Sequence, residues 1–335
     1  MHILVTGASG YIGHKLAHRL ALEGHTVHAL VRSKAKGSVV QHSNIVLHRG
    51  DVQDKASLLH AAKGCEQVYH AAAHVGAWAR RPMDFYDVNV TGTKNVVEAA
   101  AASGVKKLVF TGSVGVLGPA ATIPLTETHQ RRLPFFTDYE QSKKEAEDLV
   151  LYAAGKLLDT VVVSPGKVYG PGHTSHSLTT NALIRTFLEK GITVLPAPGT
   201  YQLCFSYIDD VVSGHLLAME KGRSGERYIL GGPNVSYFHF FNTIRTLAGS
   251  KGRILNVPKL VVKAWAGGQW LLHIVAGTDI RFTVKSVNLL FSNNIFSSEK
   301  AIQELGYEIT QLEEGVRKTI RFLQKEKDSS VNIKE

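Results

Sequence analysis

The sequence predicts a doubly wound α/β fold: a parallel sheet with helices on both faces, and a smaller, interleaved C-terminal substrate lobe. Three observations lead there. Short branched-apolar runs alternate with helical patterns through the first half of the chain, a glycine cluster directly follows the first run, and after Gly172 the rhythm loosens without a linker or an internal repeat. Parallel strands need helical crossovers and are covered on both faces, so ligand-binding residues belong just beyond the strands' carboxyl ends.

In order, the apolar runs are Ile3 to Thr6, then a helix to Glu23, then Thr26 to Val31, Ile45 to His48, Gln67 to His70 and Leu108 to Thr111. Thr160 to Ser164 extends the sheet, and Pro165-Gly166 with Gly170-Pro171-Gly172 then breaks the pattern. Beyond lie a helix from Asn181 to Lys190, a loop around Pro196 to Gly199 and a helix starting at Asp209 or Asp210. A short strand from Tyr228 to Leu230 and a final helix from Leu312 to Lys325 complete the reading. Asp209-Asp210 reads as a cap and dipole partner for its helix rather than as a pair of acid/base carboxylates.

Composition excludes several classes. With 335 residues, 44% hydrophobic and 20% charged, the chain can bury a sizeable core and leaves no room for extended disorder. Cys65 and Cys204 stand far apart, which argues for a reducing compartment and against a structural disulfide. The N-terminus enters a strand without a basic n-region or a cleavage site, so a cytoplasmic protein is expected. The apolar stretch Leu260 to Val275 is interrupted by Lys263, Gln269 and His273 and falls short of the roughly 20 residues of a membrane span. Its two tryptophans, with Lys259 and Arg281 at its flanks, fit either a helix in weak association with a membrane surface or one covering an apolar substrate pocket. The net charge of +10 is scattered, with small groups at Arg32 to Lys36, at Arg131-Arg132 and in the last helix. No basic-aromatic motif accompanies it, so nucleic acid is not an expected partner and an anionic cofactor is.

The cluster after the first strand is Thr6-Gly7-Ala8-Ser9-Gly10-Tyr11-Ile12-Gly13, opening onto a helix. Gly7 permits the sharp turn, Gly10 lets the amides of Tyr11 and Ile12 approach a pyrophosphate, and Gly13 lets the helix pack closely on the strand. Strand before and helix after make this a dinucleotide site of the NAD(P)-binding Rossmann type. The expected division is therefore 1–170 with about 205–232 as the dinucleotide-binding domain, about 171–204 with 233–327 as the substrate lobe, and 328–335 as a polar tail. Where the NAD fingerprint has an acidic residue after the second strand, this chain has Val31-Arg32-Ser33-Lys34. A guanidinium there suits a 2′-phosphate, so NADP(H) is favoured over NAD(H), although an Arg32 stacked on adenine would still admit NAD. Asp51 and Val52 are placed to reach the adenine edge, and Ala71, Ala72 and Ala73 give small side chains where backbone must lie near the cofactor.

Tyr139 and Lys143, at i and i+4, project from one helix face. An ammonium beside a phenol stabilises the phenolate, so the pair can move a proton at a substrate oxygen near neutral pH, and the lysine can also hold the nicotinamide ribose. Ser113 follows a strand at its carboxyl edge and can hydrogen-bond the same oxygen. Alone, each member is commonplace; the order of phosphate loop, serine and Tyr-x-x-x-Lys is not.

Several segments together resemble the extended short-chain dehydrogenases/reductases of the NAD-dependent epimerase/dehydratase superfamily. They are TGASGYIG at Thr6, Asn89-Val90-Thr91-Gly92-Thr93, TGSVGVLG at Thr111, TDYEQSKKEAE at Thr137, SPGKVYGPG at Ser164 and FSYIDDVVSGHLLAMEKGRSGERYILGG at Phe205. Within that superfamily they are similar to the dihydroflavonol-4-reductase-like branch, which includes plant farnesol dehydrogenase. The resemblance implies catalytic places for Ser113, Tyr139 and Lys143, a nicotinamide wall from Pro165 to Val168, and a supporting role for Asn89. It is compatible with a homodimer, which nothing countable in the sequence supports. One departure is Gly112, where many relatives carry a second serine; another is the variable last position of His70 to His74.

His74, Trp78 with the Val75 to Arg81 segment, the stretch around His173 to Leu178 and the Leu260 to Val275 helix border the expected pocket. Its substrate is expected to be a small apolar alcohol, aldehyde or ketone. No metal is expected, because His173 and His176 lack a completing ligand set. Two rivals stay open: a nucleotide-sugar epimerase or dehydratase using hydride transiently, and a non-catalytic NADP-binding sensor.

Overall fold

A computed structural model of the chain describes residues 1–33, 40–172, 180–278, 280 and 283–331. Lys34, the His173 to Leu178 stretch, Arg281 and the end of the expected tail lie outside these residues.

The strands are β1 (His2–Thr6), β2 (Thr26–Val31), β3 (Ile45–Arg49), β4 (Gln67–His70), β5 (Lys107–Thr111), β6 (Asp159–Pro165), β7 (Lys167–Tyr169), β8 (Ile192–Pro196), β9 (Gln202–Tyr207), β10 (Arg227–Leu230), β11 (Asn234–Ser236) and β12 (Arg253–Val257). Seven of them form a parallel sheet in the order β3-β2-β1-β4-β5-β6-β10. The order reverses direction between β1 and β4, and that switch opens a crevice at the carboxyl edge.

Strand alternation builds two cores. Ile3 and Val5 of β1 pack with Leu16, Ala17, Val212 and Ala218 of the helices Tyr11–Leu22 and Ile208–Lys221. Leu4, between them, points the other way, into a core with Leu58, Val96, Val97, Ala146 and Val150 of the helices Lys55–Ala62, Gly92–Ala102 and Asp138–Ala153. A period of two on the strands is what lets one run feed both layers.

After Gly166 the chain forms a three-stranded sheet, β11-β9-β7, and a parallel pair, β12-β8. Around them pack the helices Thr180–Lys190, Tyr237–Leu247 and Leu312–Val331, with Phe205 stacked on Phe240 at 3.9 Å between ring centres. The final helix runs to Val331 and so enters the stretch expected as tail. Asp209 and Asp210 stand in the first turn of their helix, behind the N-cap Tyr207, and their carboxylates do not cap it. Asp209 accepts from Lys15 at 2.5 Å, and Asp210 accepts from the backbone N–H and hydroxyl of Thr310 at 2.8 and 2.6 Å. They still favour the helix dipole, but they mainly tie this helix to other segments.

Candidate active site

The phosphate loop begins where β1 ends. Gly7 adopts φ +71°, and a Cβ there would stand 2.6 Å from the backbone N of Ala72 and 2.7 Å from the carbonyl of Ala71. A Cβ on Gly13 would lie 2.2 Å from the Gly7 oxygen, and that same oxygen accepts from Gly10 N at 2.8 Å. Gly10 is the extended N-cap of Tyr11–Leu22, and no side chain caps this helix. Its first amides are therefore left without a side-chain cap, in a turn so tight that a side chain at Gly7 or Gly13 would collide with neighbouring backbone, and half-buried Ala71 and Ala72 pack against Gly7. These residues fit a dinucleotide pyrophosphate. Tyr11 contributes backbone only, because its hydroxyl donates to Gly170 O at 2.6 Å and accepts from Asn181 Nδ2 at 3.2 Å. Gly13→Ala is expected to weaken NADPH binding more than about tenfold and to cost about 1–3 kcal/mol of stability. Fluorescence titration and melting curves check this, and an unchanged affinity would remove the loop from the site.

At the adenosine end, Arg32 follows β2 and Arg49 closes β3, and both line one open recess with Gly50, Asp51 and Asp54. Arg49 was not anticipated. Its signal was the register, which pairs Val31 with Arg49 and so brings the residues after two neighbouring strands together. Asp51 is partly engaged by the Gln53 amide at 3.0 Å, while Val52 is buried and its carbonyl accepts from Asn95 Nδ2 at 3.0 Å.

The centre assembles from two elements. Ser113 follows β5, caps the short turn Val114–Leu117 by accepting from Gly115 N at 3.1 Å, and lies beside the Tyr139 side chain, where it opposes the rise of the phenol's pKa. Tyr139 and Lys143 project from the helix Asp138–Ala153, whose N-cap Thr137 accepts from Glu140 N at 3.2 Å and whose first turn carries Asp138 and Glu140. Lys143 is 2% exposed; its Nζ donates to Thr111 O at 2.7 Å and sits 4.1 Å from the centre of the Phe110 ring. Burial lowers its pKa to about 7. Pro165, buried at the end of β6, and Val168, half-buried on β7, follow on the same carboxyl edge.

The electrostatics depart from one expectation. The Tyr139 phenol is held above its usual range: burial raises it, Ser113 only partly opposes this, and the Glu140 charge adds to it. Lys143 does not lower it here, because its ammonium is directed at the Thr111 carbonyl and burial weakens its own charge.

Three supporting groups hold the centre. Asn89 lies in a π-helical turn, Asp87–Thr91. Its Oδ1 accepts from His74 N at 2.7 Å, while its Nδ2 donates to His74 O at 3.1 Å and to Ser142 Oγ at 2.9 Å. It thereby ties the loop after β4 to the Tyr139 helix, and single π turns of this kind recur at functional sites. His70 is fully buried between Thr6 Oγ1 (2.7 Å) and Thr93 Oγ1 (2.9 Å). Burial and the neighbouring Lys143 push its pKa down to about 3, so the ring is neutral. Arg131, read from sequence only as part of a basic group, donates to Gly115 O at 2.8 Å, to Pro134 O at 2.8 Å and to Glu140 Oε2 at 3.1 Å. It clamps the loop of Ser113 to the helix of Tyr139. Beside Gly112, a Cβ would come within 2.9 Å of Ser164 Oγ and 3.3 Å of Glu147 Oε2. Neither atom has a hydrogen-bond partner among the described residues, although Glu147 Oε1 pairs with Arg227.

On the open side, His74 meets the edge of Phe85 at 4.7 Å, Phe85 faces Tyr139 at 6.4 Å, and Trp78 meets His273 of the helix Lys259–Ala276 at 4.9 Å between ring centres. The structure thus gathers Ser113, Tyr139, Lys143 and His74 at one end of the crevice and the glycine loop, Arg32, Asp51 and Val52 along it. Among the described residues, no group of three or more His, Cys, Asp or Glu side chains is arranged to hold a metal ion.

A crevice of this kind defines an enzyme that exchanges reducing equivalents through a bound dinucleotide. Over residues 3–231 the chain matches the NAD dependent epimerase/dehydratase family, and it belongs to that family. It is 28% identical over 326 residues to a putative dihydroflavonol 4-reductase of Synechocystis sp. (strain ATCC 27184 / PCC 6803 / Kazusa), covering 96% of this chain and 94% of that one. It is 31% identical over 312 residues to sterol demethylase protein B of Methylococcus capsulatus (strain ATCC 33009 / NCIMB 11132 / Bath), covering 91% and 93%. Its fold is similar to the crystal structure of gox2253, with a TM-score of 0.81, 30% identity and coverage of 97% and 98%. These relatives agree with the dihydroflavonol-reductase-like branch.

Proposed function

We propose that the protein is a dehydrogenase/reductase that favours NADP(H) and acts on an apolar alcohol, aldehyde or ketone. The observation that carries this reading is the aromatic cluster beside the Ser113–Tyr139 pair, in which Phe85 meets Tyr139 and His74 meets Phe85. The relative named for sterol demethylation points the same way, toward an apolar substrate. Residues 171–204 and 233–327 would form the lobe that covers it.

The amides of Tyr11, Ile12 and Gly13 would hold the pyrophosphate where Gly10 leaves room for it, Asp51 and Val52 the adenine edge, Ala71 to Ala73 the central backbone, and Pro165 and Val168 the nicotinamide face. Arg32 and Arg49, lining one recess, would share a 2′-phosphate. Bound in this groove, a nicotinamide cofactor would supply the hydride donor or acceptor for the substrate carbinol carbon. Tyr139 gives its hydroxyl proton to the nascent alkoxide in reduction and takes it back in oxidation. Ser113 donates a hydrogen bond to the same oxygen, and Lys143 holds the nicotinamide ribose. Burial raises the phenol's pKa and so favours the proton-donating form of Tyr139.

Titration with NADPH and NADH, followed by nicotinamide oxidation across apolar ketones, aldehydes and nucleotide-sugars, tests the reading. Tighter NADPH binding and oxidation by apolar carbonyls is expected. Tight NADH binding, no net oxidation and an altered nucleotide-sugar would overturn it in favour of epimerase chemistry. Arg32→Ala is expected to raise the Kd for NADPH by roughly 10- to 100-fold, the worth of a charge-assisted contact, while leaving that for NADH within about threefold. Equal losses for both cofactors would assign Arg32 to adenine stacking.

A further inference from the structure

The helix Lys259–Ala276 packs in the opposite sense to a surface helix of a water-soluble domain. Its inward positions are Val262, Lys263, Ala266, Gly267, Gln269 and His273, and of these only Ala266 is fully buried. His273 among them rests on Trp78 and donates from Nδ1 to Thr278 O at 2.6 Å, while Val262 and Ala266 pack against Val287 and Phe291, so the inward side is mixed and leaves most of the large apolar side chains outside. The apolar majority faces outward: Leu260 is 78% exposed, Val275 77%, Trp270 59%, and Leu271, Leu272 and Ile274 are comparable. At 18 residues the helix is not long and apolar enough to cross a membrane.

Charge selects among the partners that could cover such a face. Between Lys251 and Ser298 the sequence holds six basic residues, Lys251, Arg253, Lys259, Lys263, Arg281 and Lys285, against the single acidic Asp279. Arg281 and Asp279 lie outside the described residues, and the helix itself carries Lys259 and Lys263 without an acidic side chain. A second copy of the chain seated here would bring two stretches of the same positive charge together. An anionic headgroup layer accepts both the apolar ridge and the basic residues beside it, and indole rings sit well at that boundary.

We propose that the outer face of Lys259–Ala276 docks on the surface of an anionic lipid bilayer, lying in the headgroup plane with Trp270, Leu271 and Ile274 in the acyl boundary. Docking needs neither cofactor nor substrate. Its consequence for the site rests on the apolar-substrate reading: the Trp78–His273 contact then places the pocket loop beside the bilayer, from which an apolar alcohol or ketone can enter.

The test uses the full chain, without cofactor or substrate, in flotation with vesicles of phosphatidylcholine alone or mixed with phosphatidylglycerol. We expect capture by the mixed vesicles, weakened by salt, with a blue shift of tryptophan emission. The double substitution Leu271→Glu/Ile274→Glu, at exposed positions, should lower the partition coefficient at least about tenfold while NADPH binding and melting temperature stay unchanged. The pair Lys259→Glu/Lys263→Glu should remove the preference for phosphatidylglycerol. Absence of capture by mixed vesicles, equal capture of the Leu271/Ile274 variant, or a wild-type dimer that this variant dissociates would each overturn the proposal. Because the readout is lipid capture, it stands or falls separately from the identity of the substrate.

Discussion

Replacing Tyr139 with phenylalanine is expected to lower kcat for carbonyl reduction by about 10²- to 10⁴-fold, the range for losing a positioned general acid, while the NADPH Kd changes by less than about threefold. The separation follows from the geometry. The Tyr139 ring packs against Phe85 and its hydroxyl meets Ser113, whereas the cofactor cradle is built from the backbone of Gly7 to Gly13 and from the residues after β2 and β3. Phenylalanine keeps the ring and removes the hydroxyl that carries the proton. Single-turnover absorbance of bound NADPH against equilibrium titration checks it. Turnover that survives in Tyr139→Phe would assign the proton to another group, and retained binding with lost turnover would exclude the sensor reading.

Lys143→Met is expected to abolish turnover and, in the cofactor-free protein, to raise stability by a few kcal/mol near pH 6. Burial holds the folded ammonium near pKa 7, against an ordinary value of 10.5. Between those values the unfolded chain binds more protons, so wild-type stability rises with pH through that window and the whole cost of charging Lys143 is present below about pH 7. Each pH unit of the window is worth about 1.4 kcal/mol. The hydrogen bond to Thr111 O and the Phe110 contact favour the ammonium and reduce the gain. Denaturant unfolding of both proteins from about pH 6 to pH 10 should show the advantage of methionine shrinking as pH rises. A variant less stable than wild type at about pH 6 would mean that the ammonium is a net structural asset rather than a strained functional group.

Much of the crevice was legible along the chain because its signals are local. Gly7, Gly10 and Gly13 are diagnostic through spacing between a strand and a helix, and Tyr139 with Lys143 through one helical turn. Ser113, Asp51 and Ala71 to Ala73 were reachable because parallel strands deliver their next residues to one edge. The partners of these groups were not legible. Arg131 meets Gly115 and Glu140 across a loop, Asn89 joins His74 to Ser142 over more than fifty positions, and Arg49 meets Arg32 only through strand register. The strands after Gly166 escaped notice for the same reason: β7 and β11 have three residues each and pair with β9 across 30 or more positions, and β8 finds β12 some sixty residues away.

By itself, the sequence determined the doubly wound class, the dinucleotide crevice, and the serine, tyrosine and lysine at its end, because each depends on a backbone period or on a turn that neighbouring residues dictate. Only the tertiary structure decided how those groups are charged and which way the helix Lys259–Ala276 faces. A pKa depends on burial and on charges contributed by remote segments, so a motif that predicts a lowered tyrosine can fold into a site that raises it. Likewise an apolar period does not say which side of a helix meets the protein, since that is settled by the surface it packs against, here through Ala266 and His273.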